Sequence, residues 1–414
     1  MEYCINAVAL TRLVIFLAAF AAIFAATPPV SEEPNCGAAS PASAEGTCSA
    51  TPVSAEGPSA ATSPDPPAGA TSASPSSEVP AEKSQLEAWF SENVKPLSAR
   101  KAELDPALVA AEENATVVKV RADGSGDFKT VTEAIASVPA GNTHRVVIWI
   151  GEGVYKEKLT IERNKPFITL YGSPKNMPKL TFDGDSKKYG TVYSGTLTME
   201  AEYFVAANLV IENTSPRPDA RKGGPALAAR IRGNKAAIYN CKFIGFQDTL
   251  CDDDGMHVYK DCFIEGTVDF IFGKATSLYL NSQLNVVGEG GLGVIAAHSR
   301  EKEDDPSGYV FAHCSITGTG GPNTYLARSW RPWSRVVFAY TTIADVLHPE
   351  GWDDMNHPDF DKTVFFGEYK SSGPGAETSS RIKFSKQLSD AEVKPFLSLD
   401  YVQAQKWLLP PPKL

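Results

Sequence analysis

A chain of 414 residues, 43% of them hydrophobic, holds material for one large domain or two ordinary ones. Its formal net charge of −10 shows no large basic excess, which argues against nucleic acid as a partner. Seven cysteines in so long a chain do not make a disulfide scaffold, and none has the CxxC spacing of a zinc site.

At the N-terminus Arg12 precedes an apolar run over residues 13–25, followed by small residues and Pro28-Pro29. That order predicts a signal peptide over residues 1–26 and a secreted protein. The alternative, an uncleaved anchor, is disfavoured because the run is shorter than the roughly 20 residues a span needs. Residues 27–83 are Pro, Ala, Ser, Gly and Glu, with seven acids against Lys83 and almost no large apolar side chain. Such a segment has too little to bury to offset its chain entropy, so a disordered acidic tail is expected.

Residues 84–414 read as one domain. A helical lead-in is expected around residues 85–109, and the helical spacing of 130–138 predicts a helix that caps the start of the domain. β-Branched and aromatic runs at 117–120, 145–150, 167–171 and 203–205, separated by turn residues, read as short strands. In the middle, Asn240-Cys-Lys-Phe-Ile-Gly-Phe-Gln-Asp248 aligns with Asp261-Cys-Phe-Ile-Glu-Gly-Thr-Val-Asp269, an offset of 21 residues. Looser echoes occur at 208–213 and 314–318. Strand-rich repeats of this period suggest an all-β parallel solenoid with short capping helices; a β-sandwich with a local duplication is the alternative.

The repeat has a chemical consequence. If 21 residues make one coil, Asp248 and Asp269 stack on adjacent coils, about 4.8 Å apart along the sheet. Two carboxylates so placed cannot both ionise cheaply, a division that suits a nucleophile beside a proton donor. A solvated stack of Asn and Asp turns would have the same spacing, so the repeat alone leaves both readings open. Cys241 and Cys262 are expected on neighbouring coils by the same register, whether or not they form a disulfide.

The wording around the pair carries more. Gly245-Phe-Gln-Asp-Thr-Leu250, Gly266-Thr-Val-Asp-Phe-Ile-Phe-Gly273 and Tyr325-Leu-Ala-Arg-Ser-Trp330 closely resemble signature segments of the plant pectin methylesterases. Gly153-Val-Tyr-Lys-Glu157 and Gly367-Glu-Tyr-Lys-Ser-Ser-Gly-Pro-Gly375 are similar to that family's early and late segments. The resemblance runs from about residue 117 to 407. It implies a right-handed parallel β-helix that hydrolyses methyl esters of homogalacturonan to carboxylates and methanol in the cell wall. Asp269 then matches the nucleophile, Asp248 the acid/base, and Gln247 an amide donor to the oxyanion. Arg328, Trp330 and Thr196 match substrate-binding positions. No cofactor or metal is implied; methyl-esterified homogalacturonan is the expected partner, with a proteinaceous inhibitor as a further one, and the chain is expected to be a monomer. Residues 27–83 are too short and apolar-poor for the inhibitor-like pro-domain of many relatives, so the chain resembles the form lacking it.

One departure stands out. Where the family has a second oxyanion glutamine, this chain has Pro225 in Pro225-Ala-Leu-Ala-Ala229, which supports an alternative reading: a catalytically weak or inactive protein that binds pectin. A lyase or glycosidase would need calcium ligands or differently spaced acids. Asp252-Asp-Asp254 lacks a calcium-loop spacing and reads as a solvated turn. The six histidines form no metal or triad pattern, and Arg381-Ile-Lys383 reads as a chance match to a polygalacturonase motif. Asn114-Ala-Thr116 and Asn213-Thr-Ser215 are sequons that could carry glycans or be coincidental.

Overall fold

The computed structural model describes residues 77–218 and 223–414. The signal peptide and most of the expected tail lie outside the described residues. The expected disorder does not extend to residue 83: by Val79 the chain is already held, with Val79 2% exposed and its N–H donating to the Leu397 carbonyl at 2.8 Å. Lys83, expected in the tail, opens a short 3-10 turn, Lys83–Gln85, and reaches the His313 carbonyl.

Short β-branched runs separated by turns build three parallel sheets, one of eleven strands and two of eight. Through the middle of the chain each strand pairs with the strands three before and three after it, so three strands make one coil. The coils wind into a right-handed parallel β-helix, the hand that parallel crossovers favour. Lys242 pairs with Phe263 and Leu250 with Ile271, which is the 21-residue register of the sequence repeat. Other coils differ in length because their loops do; Ala229 pairs back to Leu197.

Alternation sends every second side chain inward, and equal ranks on successive coils stack. Ile211, Phe243, Ile264, Leu284, Ile316 and Ile343 form one such interior line, each at most 1% exposed. Tyr259, Tyr279, Phe311 and Phe338 form an aromatic one, with ring centroids 4.4, 4.6 and 4.5 Å apart. Each side chain buried this way stabilises the fold by about 1.5–3 kcal/mol before chain entropy is counted. Cys241, Cys262 and Cys314 are buried and free, and the first two do sit on neighbouring coils, flanking the Lys242–Phe263 register.

The expected capping helix is Val131–Ser137. Thr130 and Glu133 form a capping box at its start, and Val131, Ala134 and Ile135 bury against the first coil. Glu157 of the early motif accepts from the Val131 and Thr132 N–H groups, so this motif residue braces the cap. In the late motif, Glu368 is 1% exposed and takes both Arg381, at 2.8 and 3.1 Å, and the Trp352 indole. Arg381 is therefore a structural partner of that motif. Helices Leu86–Asn93 and Pro106–Glu113 cover the outer face of the eleven-stranded sheet.

Asp252 corrects another expectation. Rather than lying in a solvated turn, it is fully buried, with His257 Nδ1 at 2.5 Å and the Tyr259 and Tyr279 hydroxyls donating at 2.9 and 2.7 Å. The second sequon is also closed. Asn213 is 3% exposed and its amide donates to the Gly184, Ser194 and Leu227 carbonyls, which leaves no room for a glycan on the folded chain.

Candidate active site

The site lies where the chain turns from one eight-stranded sheet into the other. Asp248 and Asp269 each stand two residues before a paired strand, Leu250–Asp252 and Ile271–Gly273. The Asp248 N–H donates to the Val268 carbonyl at 3.0 Å, so the two aspartates hold equal rank on adjacent coils. Both occupy the left-handed region, at φ 64° and 51°, which Asp tolerates better than most residues. The buried Thr249 hydroxyl ties this turn to the Phe246 and Glu265 carbonyls at 3.1 and 2.8 Å. Gly266 lets the turns stack this closely, since a Cβ there would lie 2.2 Å from the Phe270 Cβ and 2.6 Å from the Phe246 carbonyl oxygen.

Both carboxylates are shielded, Asp248 at 7% and Asp269 at 5% exposure. Arg328, also buried, comes from 59 residues further along and grips Asp269 bidentately, Nε to Oδ1 at 2.7 Å and Nη2 to Oδ2 at 2.6 Å. Among the described residues Asp248 has no such partner. Burial first, and then the neighbouring Asp269 charge, push its carboxyl well above the usual carboxylate range, against a smaller opposing pull from Arg328. The pair is thus asymmetric: one carboxylate is neutralised by a guanidinium and the other is biased towards its acid form.

The remaining expected residues are not all at the pair. Gln247 is half-buried beside Asp248; its carbonyl accepts from the Ala226 N–H at 3.1 Å, and its side-chain amide makes no hydrogen bond to another described residue. Trp330 is half-buried and packs on Phe272, ring centroids 5.8 Å apart. Thr196 does not fit the substrate-contact expectation: it is 0% exposed and its hydroxyl is spent on the Glu212 carbonyl at 2.8 Å. Pro225 is buried, and its carbonyl accepts from the Ser186 N–H at 2.8 Å.

Thr196 lies one residue before the strand Leu197–Met199, in the turn that enters it, so the alternation that sets faces within the strand starts only after it. Within that strand Thr198 lies on a register line that runs from Thr160 through Thr198, Arg230, Cys251, Phe272, Ala297 and Arg328 to Asp353. Their strand neighbours Met199, Ile231, Ile271 and Ala296 belong to the interior core, so this line faces the other way. Cys251, Phe272 and Ala297, with Leu227 and Trp330, make a separate apolar cluster beside the aspartates. The signal was present in Ile271-Phe272, where one residue must face in and the next out.

Residues 117–405 match the pectinesterase family. The chain belongs to that family. It is 51% identical over 335 residues to pectinesterase 2 of Olea europaea, covering 80% of this chain and 91% of the relative. The solved pectin methylesterase from carrot superposes with a TM-score of 0.63 at 31% identity, covering 67% of this chain and 90% of that one. A pectin methylesterase solved in complex with a hexasaccharide gives a TM-score of 0.59 at 29% identity, covering 72% and 99%. This chain is therefore an esterase of the pectinesterase class. Among the described residues, no helix of this pectinesterase is long and apolar enough to cross a membrane.

Proposed function

We propose that this pectinesterase demethylates homogalacturonan through Asp269 as nucleophile and Asp248 as acid and base. The observation that carries the reading is the asymmetric pair: two buried aspartates on adjacent coils, only one of them held by an arginine among the described residues. The Asp269 carboxylate attacks the C6 carbonyl of a methyl galacturonate, giving a tetrahedral oxyanion. Gln247 donates its amide N–H to that oxyanion. As the intermediate collapses, the C6–OCH₃ bond breaks and the Asp248 proton passes to the departing oxygen, so methanol leaves neutral. A covalent acyl-enzyme links C6 to Asp269. Asp248, now a carboxylate, takes a proton from water as the water oxygen attacks C6; Asp269 is released as carboxylate, and the product sheds its proton to solvent. Arg328 steadies Asp269 throughout and Trp330 stacks on a sugar face.

The apolar cluster of Cys251, Phe272 and Trp330 suits the ester methyl and the sugar ring better than it suits a free carboxylate. We place the protein outside the cell, in the wall, acting as a monomer on methyl-esterified homogalacturonan and open to a proteinaceous inhibitor. Methanol release from highly esterified pectin tests the proposal, with release expected and its absence decisive against it. A second reading rests on Pro225, which has no N–H and no side-chain donor to offer an oxyanion. On that reading the groove binds pectin but turns it over weakly, and binding without methanol release is its signature.

A further inference from the structure

The strand that follows Asp248 is also gripped from its inner side. Asp252 ends the strand Leu250–Asp252, and its fully buried side chain points into the solenoid. Three strands of the eleven-stranded sheet reach across the interior to it. From Met256–Lys260 come His257, with Nδ1 2.5 Å from Oδ1, and the Tyr259 hydroxyl, donating to the same oxygen at 2.9 Å. From Thr276–Leu280 the Tyr279 hydroxyl donates to Oδ2 at 2.7 Å, and from Gly308–Ala312 the Tyr309 hydroxyl donates to the Asp252 main-chain carbonyl at 2.8 Å. The other ring nitrogen of His257, Nε2, lies 3.0 Å from the Gly233 carbonyl. A carbonyl only accepts, so Nε2 carries a hydrogen there, and Nδ1 is the atom that faces the acid. His257 and all three tyrosines are 0% exposed. Burial first, and then the Asp252 charge, push the Tyr259 and Tyr279 phenols up, so both remain donors. The grip extends to the strand that follows Asp269. The Asp252 carbonyl also accepts from the Ala275 N–H at 3.2 Å, and a Cβ on Gly273 would lie 2.0 Å from that carbonyl oxygen.

Replacing a buried acid and its basic partner by apolar side chains of similar volume is often neutral or stabilising, so stability alone does not account for this network. What a satisfied polar network adds is direction, because hydrogen bonds fix distances and angles that apolar contacts leave loose. We infer that Asp252 and His257 are positioning residues for the ester hydrolysis. They set the height of the strand Leu250–Asp252 above the eleven-stranded sheet, and with it the placement of Asp248 against Asp269 and the reacting carbon. Neither touches substrate, since both face the interior while the line through Cys251 and Phe272 faces the other way. This rests on the esterase mechanism proposed above.

The test measures kcat and KM for methanol release, normalised to folded enzyme, alongside Tm. Asp252→Asn keeps the shape of the side chain but not its charge. Its kcat falls about 10- to 100-fold, the cost of a small misplacement of reacting groups, while KM stays within about twofold because the substrate contacts lie on the other face. His257→Gln behaves alike, and the double variant is no slower than the slower single one, since both break the same contact. In the fourfold variant Asp252→Leu, His257→Leu, Tyr259→Phe, Tyr279→Phe, apolar packing takes the place of the network. There Tm stays within roughly 5 °C of wild type and kcat falls by the same factor, so that rate and stability part in a way a merely structural role does not produce. Wild-type kcat in the folded fraction of Asp252→Asn and of the fourfold variant overturns the inference, as does a rise in KM that accounts for the whole loss of kcat/KM. If neither folds, Tyr309→Phe decides: it removes only the hydroxyl on the Asp252 carbonyl, and either kcat falls about threefold at unchanged KM or the inference fails. No methanol release from wild type overturns the esterase reading instead.

Discussion

Two corners of the same solenoid use the same backbone device for opposite ends. After the strands of the eleven-stranded sheet the chain bends through left-handed residues at Asn208, Asn240, Asp261 and Asn281, and before the site strands it does so at Asp248 and Asp269. At the first corner the side chains form an outer ladder: Asn240 donates to Asn208 at 2.9 Å, Asn281 to Asp261 at 2.6 Å, and Lys260 neutralises Asp261 at 2.5 Å. At the second, both carboxylates are buried and, among the described residues, only Asp269 has a charged partner. A 21-residue repeat therefore places aspartates equally well for scaffolding and for chemistry. What separates the two corners is desolvation and a guanidinium delivered from a distant coil.

The sharpest break of that contrast is Asp269→Asn. An amide is nearly isosteric with the carboxylate but a poor nucleophile, so methanol release falls on the order of 10,000-fold while the far-ultraviolet signature of the solenoid persists. Turnover within tenfold of wild type sinks the assignment. Asp248→Asn costs about 100- to 10,000-fold, because methoxide then departs without a proton. It also has an opposite effect on stability. The folded-state pKa of Asp248 lies above the ordinary value of 3.8, through burial first and the Asp269 charge second. Such a group favours the fold fully below its unfolded pKa and loses that contribution as pH rises through the folded one. Asparagine cannot ionise, so the variant melts higher than wild type at neutral and alkaline pH, and the gap closes towards pH about 3.8. A Tm difference independent of pH contradicts the burial argument.

Much of this was legible in the sequence because repeats and alternation are local. The 21-residue register, the stacked aspartates, the neighbouring cysteines and the helix at 130–138 that caps the domain all follow from spacing. Misses came where partners arrive from distant coils. Nothing beside Asp252 in the chain announces that tyrosines at 259 and 279 will meet it inside the solenoid, so an acidic triplet looked like a surface turn. Thr196 stands at the motif position, but it sits in the turn before the strand, where its hydroxyl donates to the Glu212 carbonyl, while Thr198 inside the strand joins the outer line. Asn213 reads as a sequon until three carbonyls from separate turns converge on its amide.

Pro225 tests how completely the second corner is equipped. The turn it occupies is already pinned, through its carbonyl to Ser186 and through Ala226 to Gln247, so glutamine enters a fixed backbone beside Gln247, the proposed oxyanion donor. Pro225→Gln is expected to raise kcat about 10- to 100-fold with a smaller change in KM, because a donor aimed at the tetrahedral intermediate acts mainly in the transition state. Side-by-side kinetics on one esterified pectin check this; an unchanged or lower kcat means that another group already fills the oxyanion position.

The smallest effect belongs to the outer ladder, and it is the control that gives the comparison its meaning. Asp261 is exposed and has the same left-handed backbone as the catalytic candidates, at φ 59°, but its charge is shared with Lys260, which also reaches Glu87 at 2.7 Å. In Asp261→Asn the lysine keeps that second partner, and the amide still accepts from Asn281, so no buried charge is stranded. Lys260 is only 4% exposed, but because it keeps Glu87 the loss of stability should stay near the top of the range of about 0–1 kcal/mol that surface ion pairs contribute. Methanol release should match wild type within twofold. If Asp261→Asn lost activity as steeply as Asp248→Asn, position in the repeat would matter more than burial and the arginine, and the distinction between the two corners would fail.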